Sequence, residues 1–362
     1  MPPTLNNGNT YRDRVGTDAA GQAVCAFYAE RYRHSPLAVW QERLAVGQIS
    51  RNGQRLQADA ALAAGDRLCW QRPSWQEGAV PALPAPLVDD GDLVVFNKPS
   101  GLPVLPAGGW LEHTVLGQIE RQVVAGGLAA GAGRPRPVHR LGRFTSGLLL
   151  CARRAETRGW LSALLRSSTA LADEATSVAL SASPCRKTYR ALLQPPLSGS
   201  PLLALQPGDS LVLTTPIGRR RHARLGTIWA AAGAAPTTPL AAAFAPLPAS
   251  SAPLPARSAP LQARSTLTLL QRAEGHWLVE LTIASGRPHQ IRIHAAAADA
   301  PLLGDPLYGP GGVPCHQALP GDGGYHLHAH RLRLPLPDGR LLELEAPLPQ
   351  RLRLGARAGA DG

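Results

Sequence analysis

The stretch Pro137-Val-His-Arg-Leu-Gly-Arg-Phe-Thr-Ser-Gly-Leu-Leu-Leu-Cys-Ala152 constrains this chain more than any other. Its first half is polar and cationic, carrying His139, Arg140, Arg143, Thr145 and Ser146. Its second half, Leu148 to Ala152, is a short apolar run, the pattern of a buried strand. Gly142 and Gly147 bracket the tight part, where a backbone adopts φ > 0 or approaches a ligand closely. A cationic loop feeding a buried strand holds functional groups on a rigid anchor. The same residues also suit an ordinary arginine-containing loop ahead of a core strand.

Charge narrows the choice of partner. The formal net charge is +12, and of 37 basic residues only Lys98 and Lys187 are lysines, leaving 35 arginines. Arginine forks match phosphate bidentately and stack on bases, so a polyanion such as nucleic acid is the expected partner. A compositional bias toward Arg, Ala and Pro is the alternative. The five cysteines are scattered without a CxxC or zinc-ligand spacing and read as reduced thiols. The N-terminus has no apolar signal segment and no run approaches 18 apolar residues. These features predict a soluble, cytoplasmic protein with no membrane partner.

At 362 residues the chain has room for one large domain or two modest ones. Residues 1–80 read as a small N-terminal domain, with helical spacing over Val24–Tyr32 and a hairpin signal at Asn52-Gly53. The Pro-rich 81–87 stretch reads as a linker. From Val88 onward, Asp92–Phe96 has a buried-strand pattern, and Asn97-Lys-Pro-Ser-Gly-Leu-Pro-Val104 makes a rigid turn. Residues 121–137 read as a loop, Thr157–Arg166 as a helix, and Cys185–Leu193 and Trp277–Ile283 as strands. Arg219, Arg220, Arg221 and Arg224 with His222 form a cluster suited to phosphate or to a solvated face. The acid-free, Ala/Pro-rich 230–264 segment reads as a disordered insertion, and 348–362 as a flexible tail. His326, His328 and His330 alternate, but no nearby carboxylate or cysteine completes a metal set.

His139-Arg-Leu-Gly-Arg-Phe-Thr-Ser-Gly147 resembles the His-Arg-Leu-Asp-Arg-x-Thr-Ser-Gly signature of the RluA-type pseudouridine synthases, with Gly142 in the place of the aspartate. Other elements follow in that family's order over about residues 88–347. They are the Lys98-Pro-Ser-Gly loop, Lys187-x-Tyr-x-Ala191, Ser285-Gly-Arg-Pro-His-Gln-Ile-Arg-Ile-His294, Gly304-Asp-Pro-Leu-Tyr-Gly309 and His326-Leu-His-Ala-His330. Trp40–Trp70 is similar to the small RNA-binding domain that often precedes the catalytic one. The resemblance implies an α+β fold with a mixed, mainly antiparallel central sheet and an RNA cleft. It implies isomerisation of uridine to pseudouridine in structured RNA (rRNA or tRNA) by a monomer, with no metal or organic cofactor. It assigns Arg140 to fill the vacated base stack, Tyr189 to pack on the uracil, and Arg292 to pair with the catalytic aspartate. RNA contacts are expected from His139, Arg143, Lys98, Arg219, Arg220, Arg221, Arg224, Arg287, His289 and Gln290, although Lys98 also suits a solvated loop.

The departure at Gly142 leaves two readings. Either another acid serves, with Asp305, Asp89, Asp90 and Asp92 as candidates, or the protein is an RNA-binding relic without chemistry. Glycine has no group to act as nucleophile or base.

Overall fold

The apolar run at Leu148–Ala152 becomes the rear of an eight-residue strand, Thr145–Ala152, in which every residue is buried. This strand pairs antiparallel with Leu93–Lys98 on one side and parallel with Leu327–Pro335 on the other. The computed structural model describes all residues except 130–132, 175–184, 223–224, 233–258, 284–285, 316 and 356–362, together with the side chains of 167–174. The bulk of the 230–264 insertion, and Arg224 of the basic cluster, lie outside the described residues.

The chain divides into two compact units, one of Pro2–Ala79 with His222–Gly226 and one of Met1, Val80–Arg221 and Thr227–Gly362. In the larger unit a ten-stranded sheet runs in the order Ser210–Leu213, Ser265–Ala273, His276–Ile283, Arg186–Leu193, Leu327–Pro335, Thr145–Ala152, Leu93–Lys98, Val88–Asp89. Leu341–Glu345 adds to the Leu327 strand and Arg136–Pro137 to the Thr145 strand. Apart from the Thr145/Leu327 pair, its ladders are antiparallel, so the sheet is mixed and mainly antiparallel. Within the sheet, Leu327–Pro335 alone joins the Arg186 half to the Thr145 half.

Four expectations change here. Residues 121–137 are not one loop, because a helix spans Val115–Val124 and Arg136–Pro137 pairs with Cys151 and Ala152. Thr114 caps that helix by accepting from the Gly117 amide at 3.1 Å, and Val115, Gln118 and Ile119 face the core. The Pro-rich 81–87 stretch is docked rather than linking. Leu83 is buried against Phe96, Ile119 and Leu149, its amide donates to Gln118 Oε1 at 2.7 Å, and Gln118 and Gln122 amides donate to the Pro81 and Leu83 carbonyls. Burying one such leucine contributes about 1.5–3 kcal/mol. In the segment read as a tail, Leu352 packs on Leu192 and Leu278, while 356–362 lie outside the described residues. The helix read at Thr157–Arg166 extends over Ala155–Glu174.

The smaller unit has helices Val24–Arg31 and Leu37–Ala45 and a sheet ordered Asn9–Arg14, Arg67–Arg72, Ile49–Arg51, Gln54–Arg55. Asn52 and Gly53 both take positive φ (52° and 86°), the two-residue turn that matches strand twist. Its core is aromatic. Tyr28 stacks on Trp40 at 4.7 Å, Trp70 meets Trp40 edge-on, and the Arg43 guanidinium lies 4.2 Å over Trp40. All five cysteines are free thiols, and no helix among the described residues is long and apolar enough to cross a membrane.

Candidate active site

The His139–Phe144 loop enters the Thr145 strand through a turn closed by Thr145 N–H donating to the Gly142 carbonyl at 3.1 Å. His139 fastens this loop to its own strand, since Leu150 N–H donates to His139 Nε2 at 3.1 Å. That bond leaves the proton on Nδ1. Burial, with Lys187 adding to it, pushes the imidazole pKa down to about 4. His139, expected to meet RNA, is therefore a neutral brace. Arg140 and Gly142 are exposed beside it.

Lys98 also departs from its expected role. Its ammonium is fully buried and donates to the carbonyls of Pro99 (2.9 Å), Leu102 (2.8 Å) and Arg143 (3.0 Å). Burial draws its pKa down to about 7. It ties the Asn97–Val104 turn to the cationic loop, and no face is left for phosphate. Arg143 completes the tie by donating from Nε to Gly101 O at 3.0 Å, with its guanidinium 4.4 Å over Trp110.

The second wall is the Gln290–Ala297 helix, reached through His289 in the left-handed region (φ 55°). Tyr308 Oη donates its one proton to the Trp229 carbonyl at 2.6 Å, so at its 2.7 Å contact with His289 Nδ1 it must accept. His289 therefore carries its proton on Nδ1. Burial, then the charges of Arg292 and Arg140, hold its pKa near 3. Gln290 is buried and spans Arg264 O, Ser265 Oγ and Arg287 N–H, so it shapes the loop rather than facing RNA. Arg287 is half-exposed and donates from Nε to Gln262 O. Arg219 and Arg221 are exposed on the Ile217–His222 strand, with Arg220 half-buried between them.

Arg292 has lost its expected aspartate partner and found another. Its Nε and Nη2 donate to Asp305 Oδ2 and Oδ1, both at 2.7 Å, and Nη1 donates to Pro320 O at 3.1 Å. Arg292 is 4% and Asp305 0% exposed by side chain. Burial alone would lower the guanidinium pKa, yet the Asp305 carboxylate more than reverses that and raises it. Asp305 further accepts the Leu307 and Tyr308 amides, at 2.9 and 3.3 Å. A carboxylate so fully engaged is poorly placed to act as a replacement base.

The other candidate acids stand at the wrong end of the sheet. Leu93 opposes Ala152 and Lys98 opposes Gly147. Asp89, Asp90 and Asp92 precede Leu93, five residues and roughly 17 Å of strand from the Lys98 end. They are also occupied. Asp89 holds Arg153 bidentately, Asp90 accepts the Leu93 amide, and Asp92 accepts from Thr157 and two amides.

The place at Gly142 is filled from the entry to the neighbouring strand, Leu327–Pro335. A Cβ built on Gly142 would collide with the Tyr325 hydroxyl, while the ring carbon behind it would be 3.7 Å away and Thr145 Oγ1 3.2 Å away. Tyr325 is 1% exposed, its Oη lies 3.3 Å from Thr145 Oγ1, and the Arg292 guanidinium sits 4.3 Å over its ring. Phe144 meets the same ring edge-on at 6.0 Å. Tyr325, Phe144, Ser100 and Ser146 line a cavity of about 170 Å³. Tyr189 is half-buried against the same core cluster as Tyr325, and burial pushes its phenol pKa up to about 12. Its partner across the ladder, Ala329, also opposes Gly147, whose φ of 100° and contact with the Ala329 carbonyl leave no space for a side chain.

Of the expected residues, then, Gly142 and Arg292 both meet Tyr325, Tyr189 packs in the same cluster as Tyr325, Lys98 and His139 brace the cationic loop, and Gln290 braces Arg264 and Arg287. Sequence reading missed Tyr325. Its only signal was its place just before the closing His326–His330 element.

A family model described as RNA pseudouridylate synthase matches residues 92–297. An RNA pseudouridine synthase of Synechocystis is 38% identical, over 90% of this chain and 94% of its own length. RNA pseudouridine synthase 5 of Arabidopsis thaliana is 33% identical, over 96% and 94%. Ribosomal large subunit pseudouridine synthase D of Neisseria meningitidis is 27% identical, over 90% and 75%.

Proposed function

The chain belongs to the RNA pseudouridylate synthase family, and from that premise we propose that it isomerises uridine to pseudouridine in a structured RNA, rRNA or tRNA, as a cytoplasmic monomer. The observation that carries the reading is the Arg292 guanidinium, kept buried with its counter-ion over the Tyr325 ring, whose hydroxyl meets the Gly142 position, rather than lost along with the aspartate. A buried ion pair is costly to maintain unless fully hydrogen-bonded, and this one is.

The residues divide the work. Arg140, exposed at the loop tip, enters the stack as the target base leaves it. Tyr189 offers a flat face to that base, which is read outside its helix. Arg219 and Arg221 engage the phosphate backbone, and the N-terminal unit adds further RNA contact. Arg292 supplies positive potential to the sugar side of the site, where little water competes.

The test is direct. RNA from the protein's own source, prepared without the modification, is incubated with purified protein, and pseudouridine is mapped by chemical labelling. New pseudouridine at a defined position is expected; its absence from all RNAs would refute the enzyme reading. A second reading, the RNA-binding relic, is favoured by Gly142 itself and predicts retained RNA affinity without product.

A further inference from the structure

We propose that the Tyr325 phenol takes the ribose-facing role that Gly142 cannot perform, an inference resting on the synthase reading above. Gly142 and Tyr325 behave as a matched pair. The glycine is required because the phenol oxygen occupies the space where a side chain on residue 142 would begin. The oxygen is thus delivered to the catalytic position from a different strand entry.

The surroundings fit a reacting hydroxyl rather than a packing ring alone. A cation 4.3 Å over the ring face stabilises negative charge developing on the phenol. The hydrogen-bond neighbour of Oη is Thr145 Oγ1, at a loose 3.3 Å, so the oxygen is not locked by a strong acceptor. The ring lines the cavity next to Phe144 and Ser146. Tyrosine is a known covalent nucleophile at a sugar's anomeric carbon in enzymes that pass through oxocarbenium-like states.

The chemistry balances without a co-reactant. The phenol oxygen bonds to ribose C1′ as the C1′–N1 bond breaks. The bonding pair leaves with uracil, which takes the phenol proton. After the uracil turns, its C5 bonds to C1′ while the C1′–O bond to Tyr325 breaks and its pair returns to the phenol oxygen. The proton from C5 then passes to that oxygen and restores the phenol.

One other carboxylate acts on this loop. Asp322 accepts the Leu319 amide at 2.8 Å, and its charge reaches Arg143. The experiment compares wild type, Tyr325→Phe, Asp322→Asn and the double variant Gly142→Asp/Tyr325→Phe for pseudouridine formation and RNA affinity. Tyr325→Phe should bind RNA as wild type does and lose about 1000-fold or more in kcat. Asp322→Asn should stay active. The double variant should regain activity, because the new side chain then meets a ring carbon at 3.7 Å instead of the hydroxyl. Full activity in Tyr325→Phe, or its loss only in Asp322→Asn, overturns the inference while leaving the synthase reading intact. A silent wild type overturns both. Should Tyr325→Phe fail to fold, protein carrying the more acidic 3-fluorotyrosine at position 325 alone decides: its pH–rate profile should move to lower pH, and an unmoved profile refutes the role.

Discussion

Replacing Asp305 by asparagine tests whether this residue holds the site together or performs its chemistry. The carboxylate is 0% exposed, and both oxygens are bonded to Arg292 at 2.7 Å. The asparagine amide keeps the shape but turns one acceptor into a donor aimed at a guanidinium, and leaves Arg292 buried without a counter-ion. Removing one partner of a buried pair costs about 3–5 kcal/mol. In a unit of this size 1 kcal/mol moves the melting temperature by about 2–4 °C, so a fall on the order of 6–20 °C is expected. The assay is thermal and urea unfolding followed by near-UV circular dichroism, with RNA affinity measured well below the new midpoint. A melting temperature within about 2 °C of wild type, equivalent to less than 1 kcal/mol, combined with complete loss of product, would refute the structural assignment and return Asp305 to the list of reacting acids.

Three further outcomes are expected. Lys98→Met removes the ammonium donor from three carbonyls, of which that of Arg143 keeps the Gly101 amide, and should destabilise by about 1–3 kcal/mol, read as a lower urea midpoint; an unchanged midpoint contradicts the brace. His139, His289, His294 and His328 are held neutral, with pKa values near 4, 3, 4 and 4. Because the unfolded chain binds their protons first, their contribution is full above about pH 6.5 and is lost as pH falls toward 4, each by about 1.4 kcal/mol per unit; equal urea midpoints at pH 7 and 5 would sink this. Arg219→Ala with Arg221→Ala should weaken RNA binding and flatten its salt dependence by about two units of log–log slope, and an unaltered slope would remove these two residues from the interface.

Local patterns in the sequence were readable where local physics decides the structure. The apolar run after Gly147 predicts the central strand, and Asn52-Gly53 predicts a turn that the positive φ values bear out. Composition misleads at 81–87 and 121–137. Proline and glycine mark the chain as irregular there, but Leu83 buries and Thr114 starts a helix that runs into the Gly/Ala-rich stretch. Lys98 reads as a surface charge because a sequence does not display three converging carbonyls. Tyr325 was illegible for a related reason. It meets Thr145 across 180 residues of chain, and only the parallel pairing of Thr145 with Leu327 brings the two together.

The pairing has a consequence for how the protein is made. The strand that joins the two halves of the large sheet, Leu327–Pro335, leaves the ribosome long after the strands it bridges, Thr145–Ala152 and Arg186–Leu193. At about 5–20 residues per second, the interval between Leu193 and Pro335 lasts on the order of 7–28 s. Throughout it, two hydrophobic edges await the same missing neighbour and are open to pairing with other nascent chains. A message truncated before codon 327 yields two half-sheets with sticky margins. Arrival of the bridging strand also delivers Tyr325 to Gly142, so closure of the sheet and assembly of the site are a single event.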